Sequence, residues 1–363
     1  MSGGGVSWWR TTFGEAEAQG VRRAIEAEHI SQGPVTAAFE RGLSEVLDGA
    51  HVAATTSGSV ALLMAMLAVG VGPGDEVIVP NRTWIATAHA ARLLGGAVVL
   101  VDVEAERPVL DVTRLEAAIT PRTKAVVAVH LNGRAADMAT IGRIARRHGV
   151  AVVEDAAQAL CSHGPQGPLG TLSDVGCFSL SVAKIISTGQ GGFVATKDAA
   201  LHERLRLMRS HGVSDVVNAT YTELGFNFRF TDIQASMGLA QLARLPGRVE
   251  RVRALYARYA AALGEFPFLK LIPVDVAMGE LPLYVEVLCP ERESLIAFLA
   301  ARGIQTRPFY PDLDTAAHLA ARGDFPNSRV FGEQGLFLPS GPEQPPANID
   351  RVFEALRDYG KQR

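Results

Sequence analysis

The fold class follows from residues 150–194, whose sequence is VAVVEDAAQALCSHGPQGPLGTLSDVGCFSLSVAKIISTGQGGFV. The apolar start of this segment predicts a buried strand at Val150–Val153, which ends at the two carboxylates Glu154 and Asp155. A second short strand is predicted at Val175–Leu180. In an open α/β sheet, ligands bind at the carboxyl ends of the strands. We therefore expect the chemistry of the protein where these two strands end.

Three polar side chains lie at these strand ends, namely Asp155, Ser179 and Lys184. A lysine becomes reactive when its pKa is lowered or when its amine forms an imine, as it does with pyridoxal phosphate. That cofactor needs a lysine, a carboxylate beside its ring nitrogen and a phosphate site. The three side chains could supply one each. Each also has an ordinary alternative, as a helix N-cap, a strand hydroxyl or a solvated surface charge.

Two earlier segments offer further candidates for the same site. Ser57-Gly58-Ser59 follows a predicted strand at His51–Thr55 and begins a helix. Free N–H groups and hydroxyls in such a turn favour a phosphate site, although the same residues could form only a helix N-cap. Trp84 follows a predicted strand at Asp75–Pro80, where its ring could lie flat on a bound cofactor or pack under the next helix.

The remaining chain predicts two domains. Further apolar strands at Ala97–Val103 and Lys124–His130 alternate with helical segments. This alternation is typical of a mostly parallel α/β sheet with helices on both faces. A long charged helix at about Arg248–Leu263 indicates the connection to a second domain. We predict a large cofactor-binding domain over residues 1–245 and a smaller α+β domain over residues 246–363, against which the N-terminal segment could pack.

The composition is that of an ordinary globular protein, with 363 residues, 48% hydrophobic residues, 20% charged residues and a net charge of −3. No basic stripe is visible, so nucleic acid is not an expected partner. The three widely spaced cysteines indicate reduced thiols and predict no zinc or other metal site. Neither a signal peptide nor an apolar run of membrane-spanning length is recognisable. We therefore expect a cytoplasmic protein.

Trp8 and Trp9 are adjacent near the start of the chain. Neighbouring residues cannot share one face of a strand or helix, so we expect one of the two rings to be exposed. Such a ring indicates either an interface or a partly covered surface side chain.

Six motifs, in the same order along the chain, resemble those of the DegT-type sugar aminotransferases, which are fold-type I pyridoxal-phosphate enzymes. The resemblance extends from Gly33 to Pro339 and implies a seven-stranded, mostly parallel sheet between helices, followed by a smaller α+β domain. The motifs are SGS-V-AL (57–62), P-x-x-T-W-x-AT (80–87), ED-A-A-Q (154–158), G-x-x-SD-x-G-x-FSL-x-x-x-K-x-x-x-TGxGG (170–192), RSHG (209–212) and GFNFRFTDIQAS-x-GLAQL (225–242).

The resemblance implies roles for four residues around the cofactor ring. Lys184 matches the lysine that forms the Schiff base, and Asp155 matches the acid that pairs with the pyridine nitrogen. Gln158 matches a side chain near the ring oxygen. Trp84 matches the aromatic residue that stacks on the ring.

Four further roles concern the phosphate of the cofactor. Gly58, Ser59 and Ser179 match the phosphate-binding residues of the family. Asn227 matches an asparagine that reaches the phosphate from the neighbouring subunit. This last match implies a homodimer with shared active sites.

The resemblance implies transfer of an amino group from L-glutamate, or L-glutamine, to a keto sugar, with pyridoxamine phosphate as the amino form of the cofactor. The acceptor implied is a nucleotide-linked 4-keto or 3-keto deoxyhexose, used in polysaccharide or antibiotic biosynthesis. A keto-cyclitol acceptor, a lyase or racemase reaction, and a non-catalytic regulatory role stay open as alternatives. Family members that are dehydratases have histidine in place of Lys184 and are disfavoured.

Three segments depart from the family pattern. Asn132-Gly133 replaces a usual Tyr-Gly, and Cys161-Ser162-His163 replaces a usual Gly-Ala. Residues 310–314, Tyr-Pro-Asp-Leu-Asp, lack the usual histidine. We expect all three segments to border the acceptor, so the acceptor is the least determined part of the prediction.

Overall fold

The computed structural model describes residues 4–214 and 220–363. We number its helices and strands along the chain. The helices are α1 (Glu15–Glu26), α2 (Pro34–Val46), α3 (Gly58–Ala68), α4 (Ala86–Leu93), α5 (Val112–Ala118), α6 (Met138–His148), α7 (Ala199–Arg209), α8 (Asp232–Ala243), α9 (Leu245–Leu263), α10 (Arg292–Ala301), α11 (Pro326–Gln334) and α12 (Pro346–Lys361). The strands are β1 (His51–Thr55), β2 (Glu76–Pro80), β3 (Ala97–Val101), β4 (Thr123–Val129), β5 (Ala151–Asp155), β6 (His163–Gly164), β7 (Gly167–Pro168), β8 (Val175–Ser179), β9 (Gly192–Thr196), β10 (Lys270–Leu271), β11 (Val285–Leu288), β12 (Arg307–Pro308) and β13 (Gly335–Leu338).

Seven strands form the large sheet, in the order β1-β9-β8-β5-β4-β2-β3. The pairs from β8 to β3 are parallel, whereas β9 is antiparallel to both of its neighbours. The predicted seven-stranded, mostly parallel sheet is therefore confirmed. Among the seven strands of this sheet, the antiparallel strand β9 is the one that the sequence patterns did not predict. Its sequence, GFVAT, is short and directly follows glycines that are typical of a loop.

The strands of the large sheet are apolar on both sides because helices cover both faces. In β4, Ala125 and Val127 pack in the same cluster as residues of α3 and α4. The alternate residues Val126 and Ala128 pack in a second cluster with residues of α6. Successive side chains of a strand point to opposite faces, so a strand buried on both faces has no polar alternation. The carboxyl ends of these strands are left uncovered for a site.

The pairing of β5 with β8 brings the central segment together. Asp155 at the end of β5 pairs with Cys177 of β8. Ser179 ends β8 two residues later. The acid and the hydroxyl predicted at neighbouring strand ends are therefore on the same edge of the sheet.

A second, antiparallel sheet has the order β10-β11-β13-β12. One face packs against α10 and α12 through a cluster that includes Leu299, Leu336 and Leu356. The other face carries Phe337, which joins an aromatic group beside the large sheet. The division into domains 1–245 and 246–363 stays a prediction.

The N-terminal segment lies along this smaller sheet. Val6 forms a bridge with Ile304, and Trp9 forms one with Ser340. Trp9 is 8% exposed, and its Nε1 donates to the carbonyl of Val182 at 3.0 Å. Trp8 is half-buried. The expectation of an exposed ring is therefore wrong, whereas the alternative of a partly covered side chain fits Trp8.

Within the described ranges, none of the helices is both long enough and apolar enough to cross a lipid bilayer.

Candidate active site

A cavity of about 500 Å³ opens where β2, β4, β5 and β8 end. Four of the segments that contribute to it contain the sequence-predicted residues, and the order of strands in the sheet brings these four together. Seven of the eight predicted site residues line this cavity, namely Gly58, Ser59, Trp84, Asp155, Gln158, Ser179 and Lys184.

Asp155 is a buried carboxylate on the cavity wall, with 6% of its surface exposed. Its Oδ2 accepts a hydrogen bond from the Thr87 hydroxyl at 2.7 Å, and its Oδ1 accepts from the Ala157 N–H at 3.2 Å. Burial raises the pKa of Asp155, while these hydrogen bonds and the charge of Lys184 oppose the rise. A nearby cation would stabilise the ionised form further. The site is thus suited to a protonated ring nitrogen.

Glu154, the neighbouring carboxylate, is hydrogen-bonded to the surrounding chain. Its Oε2 accepts from His130 Nε2 at 2.9 Å and from the Gly170 N–H at 2.7 Å, and its Oε1 accepts from the Leu172 N–H at 2.7 Å. Burial opposes ionisation, but the hydrogen bonds outweigh it and keep the pKa of Glu154 low. His130 Nδ1 accepts from the Ala136 N–H, so its proton lies on Nε2 and is donated to Glu154.

Lys184 follows the turn after β8, where its N–H donates to the Ser181 carbonyl. Its Nζ has no hydrogen-bond acceptor and no ion-pair partner within 4 Å in the part of the chain that the structure describes. Burial lowers the pKa of Lys184 to about 8, although the charge of Asp155 acts in the opposite direction. A substantial fraction of this amine is therefore neutral near pH 8, which is the nucleophilic form.

Gly58 and Ser59 begin α3 and, together with Ser179 at the end of β8, line the cavity at a place where an anion could bind. The N–H groups of Gly58 and Ser59 donate to no acceptor among the described residues. A Cβ on Gly58 would lie 2.8 Å from Ser179 Cβ, so glycine is needed for α3 to approach β8 this closely. Ser57 is the N-cap, accepting from the Val60 N–H at 3.2 Å. Ser57 is thus the capping residue, while the N–H groups of its neighbours Gly58 and Ser59 remain available to an anion.

Trp84 is 56% exposed and lies on the cavity, not under the following helix. Its ring meets the ring of Tyr310 edge to face, with centroids 5.5 Å apart and an interplanar angle of 83°. Gln158 Oε1 accepts from the Asn132 N–H at 2.7 Å, which fixes that side chain at the wall. An aromatic surface remains accessible from within the cavity.

Asn227 is the predicted residue that the structure does not bring to this cavity. It is exposed, and its Oδ1 accepts from Arg229 Nε at 3.1 Å. Its position is compatible with a role at a neighbouring chain and not with one at its own cavity.

Several cavity residues come from outside the sequence motifs. They are contributed by the N-terminal segment and the smaller sheet, and no local pattern marked them as site residues. They are Trp8, Tyr284, Arg307, Pro308 and Phe337.

Of the three departures from the family pattern, Tyr310 lines the cavity, but Asn132 and Ser162 do not. Asn132 is fully buried and binds both main-chain groups of Tyr284, at 3.0 and 2.6 Å. The Ser162 hydroxyl accepts from the Leu281 N–H at 2.9 Å. These two side chains support the wall from behind, and the expectation that all three segments border the acceptor stays a prediction.

The loop that carries Tyr310 is fixed to the end of β2 by charge. Arg82 Nη1 lies 2.6 Å from Asp312 Oδ1, and the Arg82 side chain is fully buried. The guanidinium also lies 4.9 Å from the centroid of the Tyr310 ring. Asn81 adds hydrogen bonds to the side chain and N–H of Asp314, at 2.9 and 2.8 Å. These contacts set the position of Tyr310 opposite Trp84.

Comparisons with known proteins agree with this geometry. The DegT/DnrJ/EryC1/StrS aminotransferase family model matches residues 11–357. The chain is 39% identical to GDP-perosamine synthase of Caulobacter vibrioides, over 88% of each sequence. It is 35% identical to dTDP-3-amino-3,4,6-trideoxy-alpha-D-glucose transaminase of Streptomyces venezuelae, over 94% of this chain and 91% of that protein. The crystal structure of S. venezuelae DesV in complex with a ketimine intermediate is 34% identical, with a TM-score of 0.90 and 94% of each chain covered.

Fold and site together define a fold-type I aminotransferase that depends on pyridoxal phosphate, and the predicted class and fold type are thereby confirmed. The chain belongs to the DegT/DnrJ/EryC1/StrS aminotransferase family.

The pKa of Lys184 determines how the cofactor-free protein should capture pyridoxal phosphate at different pH values. Only the neutral amine attacks an aldehyde, and the neutral fraction rises as the pH increases through about 8. We expect the capture rate, measured by stopped-flow absorbance, to rise about tenfold per pH unit below this value and then level off. Free Nα-acetyl-lysine, the control, should keep accelerating to about pH 10. The same late rise in the protein would contradict the lowered pKa.

Asp312→Ala should destabilise the protein, because it leaves the buried Arg82 guanidinium without its carboxylate. We expect a loss of about 3–5 kcal/mol in the free energy of unfolding, measured in urea. The control is Asp324→Ala, which removes an exposed carboxylate 3.6 Å from Arg329 and should cost no more than about 0.5 kcal/mol. Equal effects of the two substitutions would argue against the ion pair as the anchor of the Tyr310 loop.

Proposed function

We propose that this enzyme transfers an amino group from L-glutamate, or L-glutamine, to C3 or C4 of a keto deoxyhexose linked to a nucleoside diphosphate. The observation that carries the proposal is the joint position of Lys184 and Asp155 on one cavity, beside the free N–H groups of Gly58 and Ser59. The names of two relatives support the acceptor class, because both name an amino sugar linked to a nucleotide.

The residues of the cavity fit pyridoxal phosphate. The N–H groups of Gly58 and Ser59 and the hydroxyl of Ser179 would hold the phosphate at the N-terminus of α3, where the helix dipole favours an anion. Trp84 would stack on the ring, and Asp155 would hold a proton on the ring nitrogen. When bound, the cofactor supplies an aldehyde for the amine and a ring that accepts electrons.

Lys184 is suited to proton transfer as well as to cofactor attachment. General acid and base catalysis is most effective when the pKa of the group lies near the working pH. With a pKa of about 8, Lys184 Nζ can take a proton from the α-carbon of the donor and return one to the acceptor. Trp84 and Tyr310 both line the cavity, where their rings meet edge to face.

The absorption spectrum tests this function directly. Protein incubated with pyridoxal phosphate should absorb visible light, and L-glutamate or L-glutamine should replace that band with the near-ultraviolet band of pyridoxamine phosphate. Lys184→Ala should slow the change by about 100- to 10,000-fold, because it removes both the attachment point and the acid-base group. Borohydride reduction followed by peptide mass analysis should locate the cofactor on Lys184.

The matched control is Lys197→Ala, which removes an exposed lysine at the start of α7 and should leave the spectrum unchanged. A Lys184→Ala protein that responds to the donors at the wild-type rate would refute the assignment. A wild-type protein that remains colourless with added pyridoxal phosphate would do the same.

The active enzyme, in this proposal, is a homodimer in which Asn227 of each chain completes the site of the other. Asn227 is exposed and lies outside its own cavity. The same loop exposes 79% of Tyr221, 72% of Leu224 and 65% of Phe226. A cluster of exposed apolar side chains on one loop is typical of a protein–protein interface.

Co-expression of two inactive variants tests the shared site. Lys184→Ala and Asn227→Ala chains, carrying different tags, should form heterodimers with one site that contains both native residues. We expect this pair to recover transamination that neither variant has alone. Lys184→Ala with Asp155→Ala is the control and should give no recovery, because both residues line the cavity of the same chain. Failure of the first pair, or a monomeric active enzyme in light scattering, would reject the shared site.

A further inference from the structure

Arg307 on β12 is a cation without a counter-ion on the wall of the cavity. Its guanidinium carbon lies 4.3 Å from the centroid of the Trp8 ring. The guanidinium has no hydrogen-bond acceptor and no carboxylate within 4 Å among residues 4–214 and 220–363. Arg307 is exposed, whereas Arg82 and Arg134, which are fully buried, each bind a carboxylate. The stacking orients Arg307, and nothing described in the chain neutralises it.

Two basic side chains, Lys184 and Arg307, line the cavity together with one carboxylate. Asp155 is the one carboxylate among the described residues that line it, and Thr87 and Ala157 already donate to its oxygens. Lys184 is the cation whose charge acts on Asp155. Arg307 lines the cavity and is exposed to solvent, so it is accessible to an anion that enters from solution.

The aromatic support of Arg307 is connected to the segment that carries Lys184. Trp8 stacks on Tyr284, with centroids 5.9 Å apart and an interplanar angle of 30°. The Tyr284 hydroxyl donates to the carbonyl of Ala183 at 2.7 Å. Ala183 directly precedes Lys184, so the cation and the reactive lysine are held by one set of contacts. Such an arrangement is preorganised, which reduces the entropy lost on binding a ligand.

The phosphate of the cofactor has its own candidate donors in the Gly58 and Ser59 N–H groups, so Arg307 is available to a substrate. We propose that Arg307 binds a carboxylate of the amino donor. A guanidinium presents parallel N–H groups that match the two oxygens of a carboxylate. The contact with Trp8 holds the guanidinium at the cavity wall, where its N–H groups have no acceptor among the described residues. The inference rests on the transaminase function proposed above, and it assigns the donor subsite of that same cavity.

Single-turnover spectroscopy of the loaded enzyme measures the donor step alone. Arg307→Gln should raise the apparent dissociation constant for L-glutamate by about 10- to 100-fold, the range expected for loss of a charge-assisted hydrogen bond. Arg307→Lys should give an intermediate loss, because it keeps the charge and loses the paired N–H groups. L-Alanine, which lacks the second carboxylate, tells which carboxylate is bound. An equal loss with both donors indicates the α-carboxylate, and a loss with L-glutamate alone indicates the γ-carboxylate.

The control is Arg302→Gln. Arg302 is an exposed arginine after α10 that lies 3.5 Å from the ring of Phe298 and does not line the cavity. It loses the same charge and the same kind of aromatic contact, and it should bind L-glutamate as the wild type does. A loss in Arg302→Gln equal to that in Arg307→Gln would refute the subsite.

Calorimetric titration with glutarate gives a readout that does not depend on turnover, because this dicarboxylate has no amine to transfer. Arg307→Gln should weaken glutarate binding, and titrations with GDP and dTDP should remain unchanged. Unchanged glutarate binding would overturn the proposal. A loss of GDP or dTDP affinity comparable to the loss for glutarate would also overturn it, because the anion would then include the diphosphate of the acceptor. If the wild-type spectrum does not respond to donors, the proposed function fails, while the glutarate titration still decides the role of Arg307.

Discussion

The candidate active site places two groups of opposite charge, Lys184 and Asp155, on one cavity. Burial disfavours the charged form of each, lowering the pKa of Lys184 to about 8 and raising that of Asp155. Lys184 and Asp155 are therefore suited to a cofactor that can bond to the lysine amine and place a positive charge beside the carboxylate. The parallel pairing of β5 with β8 fixes this relation, because it sets the two strand ends side by side.

The adjacent carboxylates Glu154 and Asp155 have different surroundings because of the geometry of β5. Successive side chains of β5 point to opposite faces of the sheet. Glu154 binds His130 and the N–H groups of Gly170 and Leu172, and it thereby joins β5 to β4 and to the segment before β8. Asp155 faces the cavity. Glu154 therefore stabilises the edge of the sheet at which Asp155 faces the cavity.

The sequence predicts the place of a cavity residue where that residue lies within a local pattern. Asp155, Ser179 and Lys184 could be predicted to meet because short apolar strands and their ends are visible in a single segment. Trp8 and Arg307 could not be found in this way, because their place in the cavity depends on docking of the N-terminal segment and the smaller sheet. The antiparallel strand β9 was missed for a related reason, since its pairing with β1 and β8 is a long-range property.

The cavity is built from two sets of residues. The groups suited to the cofactor come from the large sheet and α3, whereas Trp8, Tyr284 and Arg307 form a wall from other parts of the chain. Asn132 holds the main chain of Tyr284 from behind, and the Arg82–Asp312 ion pair fixes the Tyr310 loop. Substitutions behind the wall can therefore move cavity-facing rings, and the hydrogen bond from Tyr284 to Ala183 connects these rings to the segment that carries Lys184. A departure from the family pattern at Asn132 is accordingly a change in how the wall is held.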